Sequence, residues 1–181
     1  GGYCYFNNAA LAARTLKRRG KVAVVDIDFH HGNGTQELFW RDGKILTVSV
    51  HGHPADFFPY FLGYPDERGA GPGAGANHNV CLAGGADGPA WLATLDAHVL
   101  PVVRHFGATS LVISAGFDGY KKDPVGDWLL ETADFAAAGE RLGRLGLPTV
   151  VVQEGGYYTP HLGRNAAAFL RGVLAGLATA G

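Results

Sequence analysis

The sequence predicts an α/β fold built on a doubly wound, mainly parallel sheet. Three observations predict it. Four short apolar runs recur along the chain, at residues 22–25, 45–50, 110–114 and 149–152. Their hydrophobicity is continuous rather than alternating, as in strands covered on both faces. Stretches with helical periodicity lie around and between them, and strands that alternate with helices form parallel sheets.

The elements follow in chain order. Asn8 is expected to cap a helix running through Arg19, with Ala9, Ala12, Ala13 and Leu16 on one side and Gly20 as its stop. The run Lys17-Arg18-Arg19 suits the last turn of that helix, whose negative end attracts cations. The first two apolar runs come next. Residues 52–79 are rich in Gly, Pro and aromatics and read as one long loop, a length that points to function. Trp91, Leu95, Val99, Val102 and Phe106 keep helical spacing, and Pro101 is expected to kink that helix. After the third run, Asp127 or Thr132 opens another helix that ends near Leu145, before Gly146 and Pro148. The fourth run follows, and residues 162–177 form the last helix. No internal repeat or domain boundary interrupts this order.

Composition narrows the function classes. Of 181 residues, 47% are hydrophobic and 17% charged, enough to build a core and unlike a disordered chain. Fifteen Lys and Arg against 16 Asp and Glu leave no basic excess for nucleic acid. No apolar run is long enough to span a membrane, and there is no secretory segment. Two cysteines, Cys4 and Cys81, are too few for a disulfide framework, so a reduced, cytoplasmic setting is expected. The chain contains no Met and opens on Gly-Gly-Tyr-Cys-Tyr-Phe, which suggests a piece of a longer protein.

The chemistry gathers where apolar runs end. Asp26-Ile-Asp28-Phe-His30-His31-Gly32 directly follows the first run. Alternate side chains of an extended chain share a face, so Asp26, Asp28 and His30 project to one side. They do so at the carboxyl end of a strand, where ligands bind in open α/β sheets. Ionised carboxylates there are costly unless paired or bound to metal. The third run ends in Ser114-Ala-Gly-Phe-Asp118, which brings Asp118 to the same edge. The fourth ends in Gln153-Glu-Gly-Gly-Tyr157-Tyr158. Asp28, His30 and Asp118 would form a three-ligand site with an open position, suited to zinc and acceptable to iron, cobalt or manganese. Such a metal polarises a carbonyl and activates water, and a Tyr hydroxyl can donate to the oxyanion that develops.

Plainer roles suit several neighbours. His31 faces opposite His30 and is expected to pack or hydrogen-bond. His98 and His105 lie in a helical stretch, and His161 starts a helix. The sequence pattern does not choose between Tyr157 and Tyr158. The glycine-rich run 69–75 contains Pro72, follows no strand and opens no helix, so it is not read as a phosphate loop.

Four blocks carry a family resemblance: Gly2-Tyr-Cys-Tyr-Phe-Asn-Asn-Ala9, Asp26-Ile-Asp-Phe-His-His-Gly-Asn-Gly-Thr35, Ser114-Ala-Gly-Phe-Asp118 and Glu154-Gly-Gly-Tyr157. In this order they resemble the histone deacetylase family, and the segment 51–69 is most similar to its acetylpolyamine amidohydrolase branch. The resemblance implies an arginase–deacetylase fold, with residues 1–181 the C-terminal part of a single catalytic domain. It implies one zinc at Asp28, His30 and Asp118, with Tyr157 as the oxyanion-stabilising hydroxyl. Asp26 would orient a catalytic histidine. It implies substrate contacts at Gly2, Tyr3, Phe58 and Gly156, with Tyr3 and Phe58 as aromatic walls of a narrow acyl tunnel. It also implies a structural potassium held by Asp26, Ser49, Val50 and the backbone of Asp28 and His30. Asn33 matches a position that is Asp in some members, and His53 stands where the polyamine branch has Asp. The family's tandem catalytic histidines precede the first block, so the general base is expected to lie outside this chain.

The expected activity is therefore zinc-dependent removal of acetyl groups from small acetylated amines or acetyl-lysine, with little turnover by this chain alone. Neither nucleic acid nor membrane is an expected partner, and a homo-oligomer is compatible with the sequence. Two alternatives remain. One is an arginase-like hydrolase with two manganese ions, which needs further bridging carboxylates. The other is a degenerate, non-catalytic binding module.

Overall fold

The computed structural model describes residues 3–180. One sheet of five parallel strands forms its centre: β1 (Val22–Asp26), β2 (Ile45–Gly52), β3 (Asn77–Leu82), β4 (Ser110–Ala115) and β5 (Thr149–Gln153). Their order is β3-β2-β1-β4-β5, with every neighbouring pair parallel. The register sets Asp26 beside Ser49 on one flank and Ser114 on the other.

Successive strand residues point to opposite faces, and each face has its own core. Ala23, Val25, Leu46, Val48, Leu111 and Ile113 join Trp91, Phe135 and Phe169 in the larger cluster. Val22, Val24, Ile45 and Val112 join Ala9, Ala13 and Phe39 in the smaller. Burying each large apolar side chain contributes about 1.5–3 kcal/mol. Helices α1 (Asn8–Leu16) and α2 (Asn33–Phe39) supply the smaller cluster. The larger is built from α3 (Gly88–Thr94), α4 (Leu100–Phe106), α5 (Thr132–Gly143) and α6 (Thr159–Thr179). Helices on both faces make the sheet doubly wound, as expected.

Several local expectations change. Asn7, not Asn8, caps α1: its backbone is extended and its side chain accepts the Ala10 N–H at 2.7 Å. A 3-10 turn at Lys17–Arg19 then carries the chain to Gly20. The helical stretch bearing Pro101 is relieved by a π-helical segment, Leu95–Val99, just before the proline, which has no N–H to continue the ladder. Glu131 and Asp134 form a capping box that fixes the start of α5 at Thr132 and excludes Asp127. The last helix begins at Thr159 rather than 162.

The segment 52–79 is not one continuous loop. It holds a 3-10 turn at Gly71–Gly73 and the start of β3, a strand the apolar pattern did not reveal. Nor is β5 covered on both faces. It lies at the edge of the described sheet, and Val150 remains 38% exposed.

Candidate metal centre

Beyond Asp26 the chain leaves β1 and bends through Asp28, Phe29 and His30. Ile27 and Phe29 enter the larger core, while Asp26, Asp28 and His30 line a cleft. β1 and β4 are neighbours, so the turn Gly116-Phe117-Asp118 delivers Asp118 beside them. His30 Nδ1 lies 2.8 Å from Asp118 Oδ2 and 3.5 Å from Asp28 Oδ1. One ligand atom from each of Asp28, His30 and Asp118 falls within 4.8 Å of the others. Among the described residues, this is the group of three His, Cys, Asp or Glu side chains close enough to share an ion.

Backbone donors hold both carboxylates in place. The Phe29 N–H donates to Asp118 Oδ1 at 2.9 Å, and the Gly155 N–H donates to Asp28 Oδ2 at 2.8 Å. A Cβ at Gly155 would stand 2.6 Å from Asp28 Oδ2 and 2.8 Å from Asp118 Oδ2, so only glycine lets β5 approach so closely.

The electrostatics call for a cation. Asp26, Asp28 and Asp118 are all buried. Burial and then the Asp28 charge raise the Asp118 carboxyl to about 7. The same two causes, in the same order, push Asp26 well above the usual range. His30 is raised to about 9: burial works to lower it, but hydrogen bonds to Asp118 and Asp28 prevail. Asp26, His30 and Asp118 thus hold their protons more tightly than usual, the mark of a pocket with too little positive charge. Two hard carboxylate oxygens and one imidazole nitrogen fit zinc or a similar divalent ion.

Tyr157, rather than Tyr158, reaches this site. It lines the same cleft of roughly 930 Å³ as Asp28, His30, Tyr3 and Phe58. Its hydroxyl is raised to about 12, by burial first and then by the Asp28 and Asp118 charges, so it stays protonated. Tyr158 instead packs against Tyr120 and His161, and the Tyr120 hydroxyl pairs with His161 Nδ1 at 2.6 Å. The Tyr3 ring meets Tyr157 edge-on at 5.9 Å, and Phe58 meets His30 at 6.5 Å. Gly156 has a φ of 135°, and Gly2 lies outside the described residues.

His31 takes the plain role expected of it. It is buried, packs against His51 with the rings tilted at 44° and centred 4.5 Å apart, and lies 3.3 Å from the Ser49 hydroxyl. Burial and then His51 lower it to about 3, so it stays neutral. Ser49 also pairs with His51 at 2.8 Å, while Val50 is buried in the larger core.

The sequence reading missed two features. Glu154 lines the cleft half-buried, and its carboxyl is raised by burial and then by Asp28. Asp123 accepts the Tyr157 and Tyr158 N–H groups, and the only sequence hint was the turn-forming pair Asp123-Pro124.

A model of the histone deacetylase domain matches residues 1–173. The chain belongs to the histone deacetylase family. It is 47% identical over 174 residues to acetylpolyamine amidohydrolase 1 of Pseudomonas aeruginosa, covering 95% of this chain and 50% of that protein. It is 39% identical over 167 residues to human histone deacetylase 7, covering 86% of this chain and 17% of that one. Its structure is similar to that of the acetylpolyamine aminohydrolase from Burkholderia pseudomallei, with a TM-score of 0.94 and 45% identity over 97% of this chain and 52% of that one. The chain spans about half the length of the curated amidohydrolases it matches. No helix among the described residues of this deacetylase-family chain is long and apolar enough to cross a membrane.

Proposed function

We propose that this chain carries the cation-binding and oxyanion-stabilising part of a zinc-dependent amide hydrolase that removes acetyl groups from acetylated amines. The observation that carries this reading is the meeting of Asp28, His30 and Asp118 beside a protonated Tyr157. Acetylpolyamine amidohydrolase relatives at 43–47% identity point to acetylated polyamines as the first substrates to try, with acetyl-lysine next.

The chain's own residues divide the work. Asp28, His30 and Asp118 would hold the ion, each carboxylate steadied by a backbone N–H. A bound divalent ion supplies Lewis acidity toward a carbonyl and toward water. The Tyr157 hydroxyl, protonated at neutral pH, would donate a hydrogen bond to the oxygen that becomes negative in the transition state. Tyr3 and Phe58 would flank the acyl chain and exclude water. A structural potassium would use Asp26 and the Ser49 hydroxyl, which already serves His31 and His51.

We further propose that the 181 residues alone turn over slowly. Among the described residues, the imidazoles lining the cleft are His30 and His31. The first is committed to the ion, and the second is buried and neutral. The general base would then come from outside this chain. The test is metal analysis plus acetate release from N-acetylputrescine and an acetyl-lysine peptide, on this chain and on the full-length protein. One zinc per chain, with turnover by the full-length protein alone, is expected. Two manganese ions per chain would favour an arginase-like hydrolase, and no turnover by either form would remove the deacetylase reading.

A further inference from the structure

Tyr157 stands on a turn anchored upstream at Gly155, whose N–H donates to Asp28 Oδ2 and whose carbonyl accepts the Phe117 N–H at 2.9 Å, and downstream by the Thr159 N–H, which donates to the Tyr157 carbonyl at 3.1 Å. Gly155 and Gly156 precede it, and Gly156 occupies a φ of 135° that other residues rarely adopt. The helix α6 starts only at Thr159, and its N-cap, Tyr158, makes no side-chain cap hydrogen bond. These anchors leave the Tyr157 and Tyr158 N–H groups to a partner from another loop, and that partner bears on where the Tyr157 hydroxyl points.

Asp123 supplies that partner. Its Oδ2 accepts the Tyr157 N–H at 2.7 Å and the Tyr158 N–H at 3.0 Å. Its Oδ1 accepts the Val125 N–H at 3.0 Å and the Gly126 N–H at 3.4 Å, which stiffens its own loop. One carboxylate thus ties two loops together, each oxygen serving one of them. It also places negative charge at the N-terminus of a 21-residue helix, where the helix dipole favours it. The loop bearing Asp123 also carries Asp118, so five positions along one loop link a proposed cation ligand to the clamp on the hydroxyl.

We infer that Asp123 is a positioning residue that sets the distance from the Tyr157 hydroxyl to the cation. This deepens the proposed function and rests on it for its catalytic consequence. A misplacement of about 1 Å at a reacting group costs on the order of 100-fold in rate. Loss of the clamp is therefore a loss of turnover rather than of substrate or cation binding.

The test uses the full-length, zinc-loaded protein in a double-mutant cycle of Asp123→Ala with Tyr157→Phe. Alone, Asp123→Ala is expected to lower kcat by roughly 10- to 100-fold, leaving KM and zinc content near wild type. In the Tyr157→Phe background it is expected to change kcat less than about twofold, because the hydroxyl it serves is gone. Asp123→Asn keeps the side-chain size and one acceptor oxygen. It is expected to restore part of the rate and is the variant to cycle if the alanine form does not fold. Additive effects in the cycle would overturn the inference. A crystal structure of the variant gives a readout independent of activity: the Tyr157 hydroxyl is expected to move by about 1 Å or more. An unmoved Tyr157 would overturn the clamp even in a protein with no hydrolase activity, whereas an inactive wild type with a displaced Tyr157 in the variant would remove only the deacetylase reading.

Discussion

His30 Nδ1 and Asp118 Oδ2 lie 2.8 Å apart although 88 residues separate them in sequence. Neighbouring strands β1 and β4 make the contact. Both groups hold their protons more tightly than usual, His30 to about 9 and Asp118 to about 7. A divalent ion between them would replace the proton they share.

Asp118→Asn should therefore lose the ion before it loses the fold. Zinc affinity is expected to drop by on the order of 100-fold or more, measured by competition with a chromogenic chelator. Wild type should gain thermal stability on adding zinc and lose it with a chelator, because the ion binds only the folded chain. An equal zinc affinity in the variant would remove Asp118 from the ligand set.

The first part of this site was legible in the sequence, for a physical reason. Apolar runs ending in Asp-x-Asp-x-His, in Gly-Phe-Asp and in Gly-Gly-Tyr carry their side chains to one sheet edge whatever the loops do. β3 escaped notice because its Asn77 and Asn79 face polar partners. Both donate to Gln36 Oε1, at 2.9 and 2.8 Å, beside Glu67. A strand that buries amides carries no apolar signal. The seven-residue α2 contains Gly34, which weakens helical periodicity. Asp123 showed in the sequence only as a turn former, because its link to the site is to backbone N–H groups more than thirty residues away, and backbone groups leave no trace in composition.

Tyr157→Phe should separate chemistry from binding. The hydroxyl is expected to be worth about 100- to 1,000-fold in kcat, as for one oxyanion donor. Zinc stoichiometry and substrate KM should stay close to wild type. Steady-state kinetics on acetylated diamines in the full-length protein decides this, and a variant as fast as wild type would assign the donor elsewhere.

Gly172→Ala should destabilise without touching the site. The added Cβ would press into the Ala136 carbonyl, at the face where α5 and α6 pack. Overpacking of this kind costs about 1–3 kcal/mol. Urea denaturation should show a lower midpoint, with zinc affinity per folded molecule unchanged.

The two thiols should differ in their pH response. Cys4 is exposed, and its pKa is raised by burial and then by Glu154. Cys81 is half-buried and is pushed up to about 11, by burial first and then by the Glu67 charge. A raised pKa leaves less of the reactive thiolate, so Cys81 labelling should climb about tenfold per pH unit until it titrates. Mass spectrometry after brief iodoacetamide treatment at pH 8 should find label on Cys4 alone. Comparable labelling of both at that pH would contradict the environment described for Cys81.

The strand order gives the two halves of the chemistry unequal resilience. In the described sheet the proposed ion ligands descend from inner strands, laced on either flank, whereas the hydroxyl hangs from the outermost strand, at a rim with fewer hydrogen bonds to break. Gentle warming or dilute denaturant would peel that rim first. Such a chain would keep an ion and most of its shape yet lose the hydroxyl's place beside it, so retained metal would be a poor gauge of an intact site.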